Sequence, residues 1–257
     1  MHVPVWARFA LVAHRTWPWW VEPPPRDFTR MLHGARSQVT LAAVGPAHRR
    51  PPIAMRGTTM TELPPELREV IDRQKIYDVL TRYCRALDRC DVELMKTVYW
   101  EDGFDDHGVF EGNAQEFAEF IVREIQSWFE VTMHSISNVH MELDGDVAHT
   151  ESYLIAYHRV KGDAQKLADV FGSTYLRRFA DGDRIPHDFV FGGRYVDRLE
   201  KRGGVWRIAK RTVVMDWNLN QPTSSLWDEG MFAVLKTYGT RDRSDPVYAR
   251  DAAPVRR

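Results

Sequence analysis

Cysteine is nearly absent from this chain: Cys84 and Cys90 are the only two in 257 residues. Six positions apart in a helical pattern, they form neither a disulfide framework nor a paired zinc knuckle. A reducing, cytoplasmic setting is therefore the expectation. Long apolar runs are also missing, since the stretches near residues 3–13 and 212–217 fall well short of the roughly 20 residues a spanning helix needs. No membrane partner is expected. An excess of charge of one sign is lacking too, because 35 Lys and Arg nearly cancel 36 Asp and Glu. Without a basic field, binding to nucleic acid is not expected. The phosphate-cradling glycine loops, the Gly-x-Ser-x-Gly elbow and the His-Glu-x-x-His helix are all absent.

The balanced total hides an asymmetry. Residues 1–60 hold eight Arg, no Lys, two acidic residues, eight of the 14 Pro and four of the nine Trp, and the rest of the chain is left at −7. Trp17-Pro18-Trp19-Trp20 and Pro23-Pro24-Pro25 break both the helical and the strand period. This segment reads as a poorly ordered leader, either translated ahead of a domain starting at Met60 or a mitochondrial-type presequence. Arg8 and His14 interrupt its only candidate secretory core.

Beyond Met60 the periodicity becomes regular. Leu67, Val70, Ile71, Ile76, Val79, Leu80, Tyr83 and Leu87 approximate one amphipathic helix over 66–88. Asp91 is placed to cap a second helix carrying Leu94, Met95, Val98 and Tyr99, and residues 114–129 predict a third. The period then switches to two. Residues 133–143 and 147–160 flank Asp144-Gly145-Asp146, and residues 189–201 and 205–217 flank Arg202-Gly203-Gly204, which predicts two hairpins. Helices followed by an antiparallel sheet make an α+β domain over 61–220. Residues 221–257 follow as a C-terminal extension, with at most a short helix and then a tail. Residues 163–179, with Leu167, Val170, Phe171 and Leu176, are expected to form a short helix over the cavity mouth.

The candidate chemistry lies among His and Asp residues. His134 and His140 are about 20 Å apart along one strand, too far to share a metal, and no metal site is expected. Asp88 closes the first helix, and His134 sits near the start of a core strand. Each has a structural reading, as a turn residue and as a hydrogen-bonded core histidine. If the two meet, the carboxylate would orient the ring and leave its far nitrogen as a general base. Register decides the fate of His158: an odd-length turn at 144–146 would put it on the face of His134, whereas a two-residue turn would put Tyr153 and Tyr157 there. Asp105, Asp106 and Asp216 read as loop or edge residues, and Trp206 as core.

The runs RYCRALDRCD (82–91), EDGFDDHGVFEG (101–112), TMHSISNVH (132–140) and GRYVDRLEKRGGVWRIAKRTVVMDW (193–217) resemble the SnoaL-like branch of the nuclear transport factor 2-like superfamily. The resemblance spans about 65–220. It implies a cone-shaped, curved antiparallel sheet wrapped by about three N-terminal helices. It also implies an elimination or isomerisation without metal or cofactor, as in scytalone dehydratase, bile-acid dehydratase and hexachlorocyclohexane dehydrochlorinase. On that basis Asp88, His134 and Tyr83 are the expected catalytic residues, and His107, His158 and Phe104 the expected substrate contacts. Where bile-acid dehydratase has an acidic residue, this chain has Ala156. The expected partner is a small hydrophobic ring substrate held in a hydrophobic pocket, and the expected assembly a homo-oligomer. The same fold also serves as a non-catalytic binding or assembly subunit, such as the small subunit of ring-hydroxylating dioxygenases.

Overall fold

The computed structural model describes residues 63–249, and the expectations for residues 1–60 lie outside them. α1 (Pro65–Asp88) starts at a proline, whose missing N–H costs nothing in a first turn. Its buried stripe is Ile76, Val79, Leu80, Tyr83 and Leu87. The expected stripe is longer than the buried one, because Leu67, Val70 and Ile71 in the first two turns are exposed. α2 (Val92–Lys96) is capped as expected, the Asp91 carboxylate accepting from Leu94 N–H at 3.1 Å. α3 (Ala114–Trp128) is capped by Asn113 and buries Phe117, Ile121, Val122 and Ile125.

Between α2 and α3 lie two strands that the sequence pattern does not predict, β1 (Tyr99–Asp106) and β2 (Glu111–Asn113). They are followed after α3 by β3 (Phe129–Asp144), β4 (Val147–Val160), β5 (His187–Arg202) and β6 (Val205–Pro222). The fold is α+β, one open six-stranded sheet in the order β2-β1-β6-β5-β4-β3 with the helices against one face. The sheet is not wholly antiparallel, since β1 pairs with β6 in parallel. Tyr99, expected at the end of a helix, begins β1 instead.

Both hairpins close through two-residue turns, Gly145-Asp146 and Gly203-Gly204. Gly203 and Gly204 have φ of 59° and 82°, the left-handed pair that a primed turn demands. A two-residue turn after Asp144 pairs Glu142 with His149 and would carry Tyr157 opposite His134. A β-bulge intervenes. Asn138, at φ 45°, and Val139 together oppose Ser152, so that beyond the bulge His134 pairs with Ala156 and Thr132 with His158. His158 thus reaches the face of His134 through a bulge and not through the turn.

The segment after β4 forms α4 (Ala164–Phe171) and α5 (Ser173–Leu176). Its Leu167 and Leu176 join the main core, and Phe171, Tyr175 and Phe179 surround His187. The C-terminal extension has no α-helix among its described residues, only 3-10 turns at Phe232–Val234 and Pro246–Tyr248. It folds back onto the domain, where Arg241 donates to the carbonyls of Ile125 and Phe129 at 3.1 and 2.6 Å and closes the C-terminal end of α3. No described helix is long and apolar enough to cross a membrane.

Candidate active site

A cavity of about 420 Å³ opens between α3 and the inner face of the sheet. Its wall is apolar, with Leu87, Ile121, Ile125, Trp128, Phe129, Leu154, Ala156, Phe189, Phe191, Val213 and Met215, and the ring of Tyr195. His107, His134 and His158 also line it, and among the described residues no Lys, Arg, Asp or Glu does. A wider groove of about 870 Å³ between α1, α2 and the C-terminal extension is lined instead by Asp78, Arg82, Arg85, Asp91, Glu93 and Arg243, with no histidine. The chemistry converges on the smaller cavity.

Asp88 reaches His134 from the last turn of α1. Its Oδ1 accepts from Nδ1 at 2.7 Å, and its Oδ2 accepts from the His134 main-chain N–H at 2.9 Å. An ionised carboxylate can only accept, so Nδ1 carries the proton and the Nε2 lone pair of the neutral ring is left for another partner. Edge-on to this ring at 5.2 Å stands His158, held between Phe129 and Phe189 with centroids at 4.7 and 5.1 Å. Burial first, and the neighbouring His134 second, push the His158 pKa well below the usual histidine value. His158 is therefore neutral at neutral pH, and its buried Nδ1 has no hydrogen-bond partner among the described residues.

A second imidazole–carboxylate pair stands in the same cavity. β1 carries the fully buried Asp105, whose Oδ1 accepts from His107 Nδ1 at 2.8 Å and whose Oδ2 accepts from the Tyr99 hydroxyl at 2.5 Å. The imidazole lies against the Phe117 ring at 4.7 Å, and its Nε2 is 3.4 Å from the Tyr83 hydroxyl. Behind Tyr83 the Arg211 guanidinium is sandwiched between the rings of Tyr83 and Tyr195, 4.0 Å from each centroid, and doubly bonded to Asp197 at 2.7 Å.

Several sequence-based expectations need correction. Tyr83 is fully buried and does not line the cavity; it reaches the site only through His107, and burial raises its pKa so that it stays a phenol. Phe104 is not in the cavity wall either. Strand alternation turns it away from Asp105, and its ring lies 5.7 Å from the Lys210 ammonium. Asp105 is no loop residue, whereas Asp216 forms an ion pair with Arg194. Residues 163–179 contribute nothing to the cavity wall, Leu167 and Leu176 being buried in the main core with Val170 and Phe171 packed against it. Trp206 is core, 2% exposed, with its indole N–H on Asp72 at 2.8 Å. Among the described residues, no three His, Cys, Asp or Glu side chains are grouped to hold a metal ion.

An α+β sheet closed by helices over an apolar, histidine-bearing cavity defines the class of protein. The chain belongs to the SnoaL-like domain family, whose model matches residues 68–212. No curated protein matches the sequence. Among solved structures, a putative scytalone dehydratase from Novosphingobium aromaticivorans is similar at 17% identity and TM-score 0.47, over 61% of this chain and 92% of that one. A hexachlorocyclohexane dehydrochlorinase from Novosphingobium barchaimii is similar at 15% identity and TM-score 0.48, over 63% and 96%. A cystatin-like-fold protein from Nostoc punctiforme is similar at 19% identity and TM-score 0.42, over 57% and 92%. At these identities the likeness concerns the fold.

Proposed function

We propose that the protein is a lyase or isomerase of the dehydratase kind, in which His134 removes a proton next to an activating group on a hydrophobic ring substrate. The observation that carries this reading is the Asp88–His134 pair at the cavity wall, with Nδ1 held by the carboxylate at 2.7 Å. Asp88 sets the tautomer and balances the imidazolium formed when Nε2 takes the proton. His158, kept neutral beside it, adds no positive charge to oppose that step. The wall supports the substrate class, since a cavity without cationic or acidic side chains favours a neutral, largely apolar molecule over a phosphate or carboxylate. The reading assigns no role to a metal or cofactor.

Exchange of the C2 protons of 1-indanone in D2O, followed by NMR, tests the base without any leaving group. His134→Ala should lower the enzymic rate by on the order of 10²–10⁴, the usual scale for a general base. Exchange undiminished in His134→Ala would refute the assignment and favour a non-catalytic binding module.

A further inference from the structure

The turn that follows Asp88 is held by the chain beyond β6. Cys90 sits there at φ 49°, a left-handed position at a helix end that a residue with a Cβ resists and glycine usually fills. The C-terminal extension grips this turn at three consecutive residues. Arg89 donates to the Thr240 carbonyl at 3.0 Å and lies 3.5 Å from the Asp245 carboxylate. Cys90 Sγ accepts from Arg241 Nη2 at 3.2 Å, and Asp91 Oδ2 meets the Tyr248 hydroxyl at 3.1 Å and Arg243 at 3.2 Å. Asp245 accepts from the main-chain N–H groups of Thr240 and Val247, which folds this stretch into one loop. Arg241 also reaches a second part of the site: its Nη1 donates to the carbonyls of Ile125 and Phe129. Phe129 opens β3 five residues before His134 and packs against the His158 ring at 4.7 Å. One guanidinium thus ties the chain just after Asp88 to the chain just before His134. Its charge is stabilised by Asp88 and opposes a proton on His158.

We propose that Arg241 is a positioning residue for the Asp88–His134 pair: by bridging the two segments that carry them, it keeps the carboxylate aligned on Nδ1 and so keeps Nε2 unprotonated. The catalytic consequence rests on the reading of His134 as the base, whereas the geometric one stands without it. Arg241 touches neither the ring of His134 nor the cavity wall side chains through a hydrogen bond, since its partners are two carbonyls and a thiol. It acts through Asp88 and the start of β3. A displacement of about 1 Å in such a pair can cost on the order of 10²-fold in rate, which is the scale on which the bridge matters.

Two readouts test the bridge in the full chain. Arg241→Gln should lower kcat for 1-indanone exchange by on the order of 10–10², with KM within about twofold of the parent because the cavity wall keeps its side chains. In protein labelled with 15N-histidine, ring spectra at neutral pH should show His134 as the Nδ1–H tautomer alone in the parent and as a mixture in Arg241→Gln. Asn113→Ala removes the cap at the other end of α3 and controls for lost stability; it should leave kcat within about twofold and the His134 ring spectrum unchanged. Arg241→Gln with the parent's kcat and a pure Nδ1–H tautomer would overturn the proposal. A rate loss no larger than that of Asn113→Ala would overturn it too, since the extension would then be a brace for the fold and nothing more. If Arg241→Gln does not fold, Arg241→Lys, which keeps the charge and loses the fork, carries the same test with smaller losses, and the parent's kcat and ring spectrum in that variant would likewise overturn the proposal. Absence of exchange in the parent would remove the base reading alone, and the ring spectra would still decide the geometry.

Discussion

Asp88 directs both carboxylate oxygens at one residue, Oδ1 at the imidazole of His134 and Oδ2 at its main-chain N–H. The double attachment joins the end of α1 to β3 and sets both the position and the tautomer of the ring. Base and orienter then form one unit, so their losses are non-additive. Asp88→Asn should reduce 1-indanone exchange strongly, and the double variant with His134→Ala should be scarcely worse than His134→Ala alone. A double variant whose loss equals the product of the single losses would show the two act separately. Asp88→Ala should in addition cost about 1–3 kcal/mol in urea unfolding, because the His134 N–H loses its acceptor.

The bulge at Asn138 sets which residues of β4 face His134. Asn tolerates its left-handed φ of 45°, whereas a β-branched residue does not. Asn138→Gly should leave stability within about 0.5 kcal/mol and Asn138→Val should lower it by roughly 1–2 kcal/mol. Deleting Asn138 removes the extra residue and leaves Val139 alone opposite Ser152, so His134 should stay opposite Ala156 and His158 on the cavity face, and exchange activity should be kept. A deletion variant that folds yet loses exchange activity would show that the local bend at the bulge, and not register alone, places His134.

The same bulge marks where the sequence was opaque. Apolar spacing gave away α1, α3 and both hairpins because each buries one regular face. β1 escaped because Glu101, Asp102, Gly103, Asp105 and Asp106 make a poor strand by propensity, and pairing with β6 and β2 holds it. With β1 unseen, nothing in the sequence distinguished the buried Asp105 from its exposed neighbours or tied it to His107. Asp88 and His134, 46 positions apart, were joined by resemblance and not by pattern, and their hydrogen bond appears only in the fold. Tyr83 enters the expected catalytic set by resemblance alone; the helical stripe shows that its side chain is buried, not whether it reaches a cavity.

Beneath the cavity Arg211 and Asp197 are fully buried and meet through two bonds of 2.7 Å, with Tyr83 and Tyr195 on either face of the guanidinium. Breaking such a pair from one side strands a charge in the core. Asp197→Ala should therefore lower stability by about 3–5 kcal/mol, whereas Arg211→Met with Asp197→Leu should recover most of that loss. Urea midpoints of the single and double variants make the comparison. A double variant as unstable as Asp197→Ala would mean the pair is needed for more than its own neutralisation.

Stability should fall on acidification, and His158 should account for part of the fall. Burial first, then neighbouring His134, with Arg241 adding to it, lowers the His158 pKa well below 6.5, while main-chain groups of Phe189 and Ala156 oppose the shift only partly. Below pH 6.5 the unfolded chain binds a proton at this position that the folded protein refuses. The unfolded state then holds more protons, so stability is full above the unfolded value and is lost as pH falls towards the depressed folded one. The slope approaches about 1.4 kcal/mol per pH unit for one such group. His187 is shifted in the same direction by burial and adds to the trend. His158→Gln should therefore lose less stability than the parent between about pH 7 and pH 5.5, the variant keeping only the His187 part of the linkage. Urea unfolding at the two pH values measures the difference, and an equal acid loss in parent and variant would show that His158 is not held neutral by the fold.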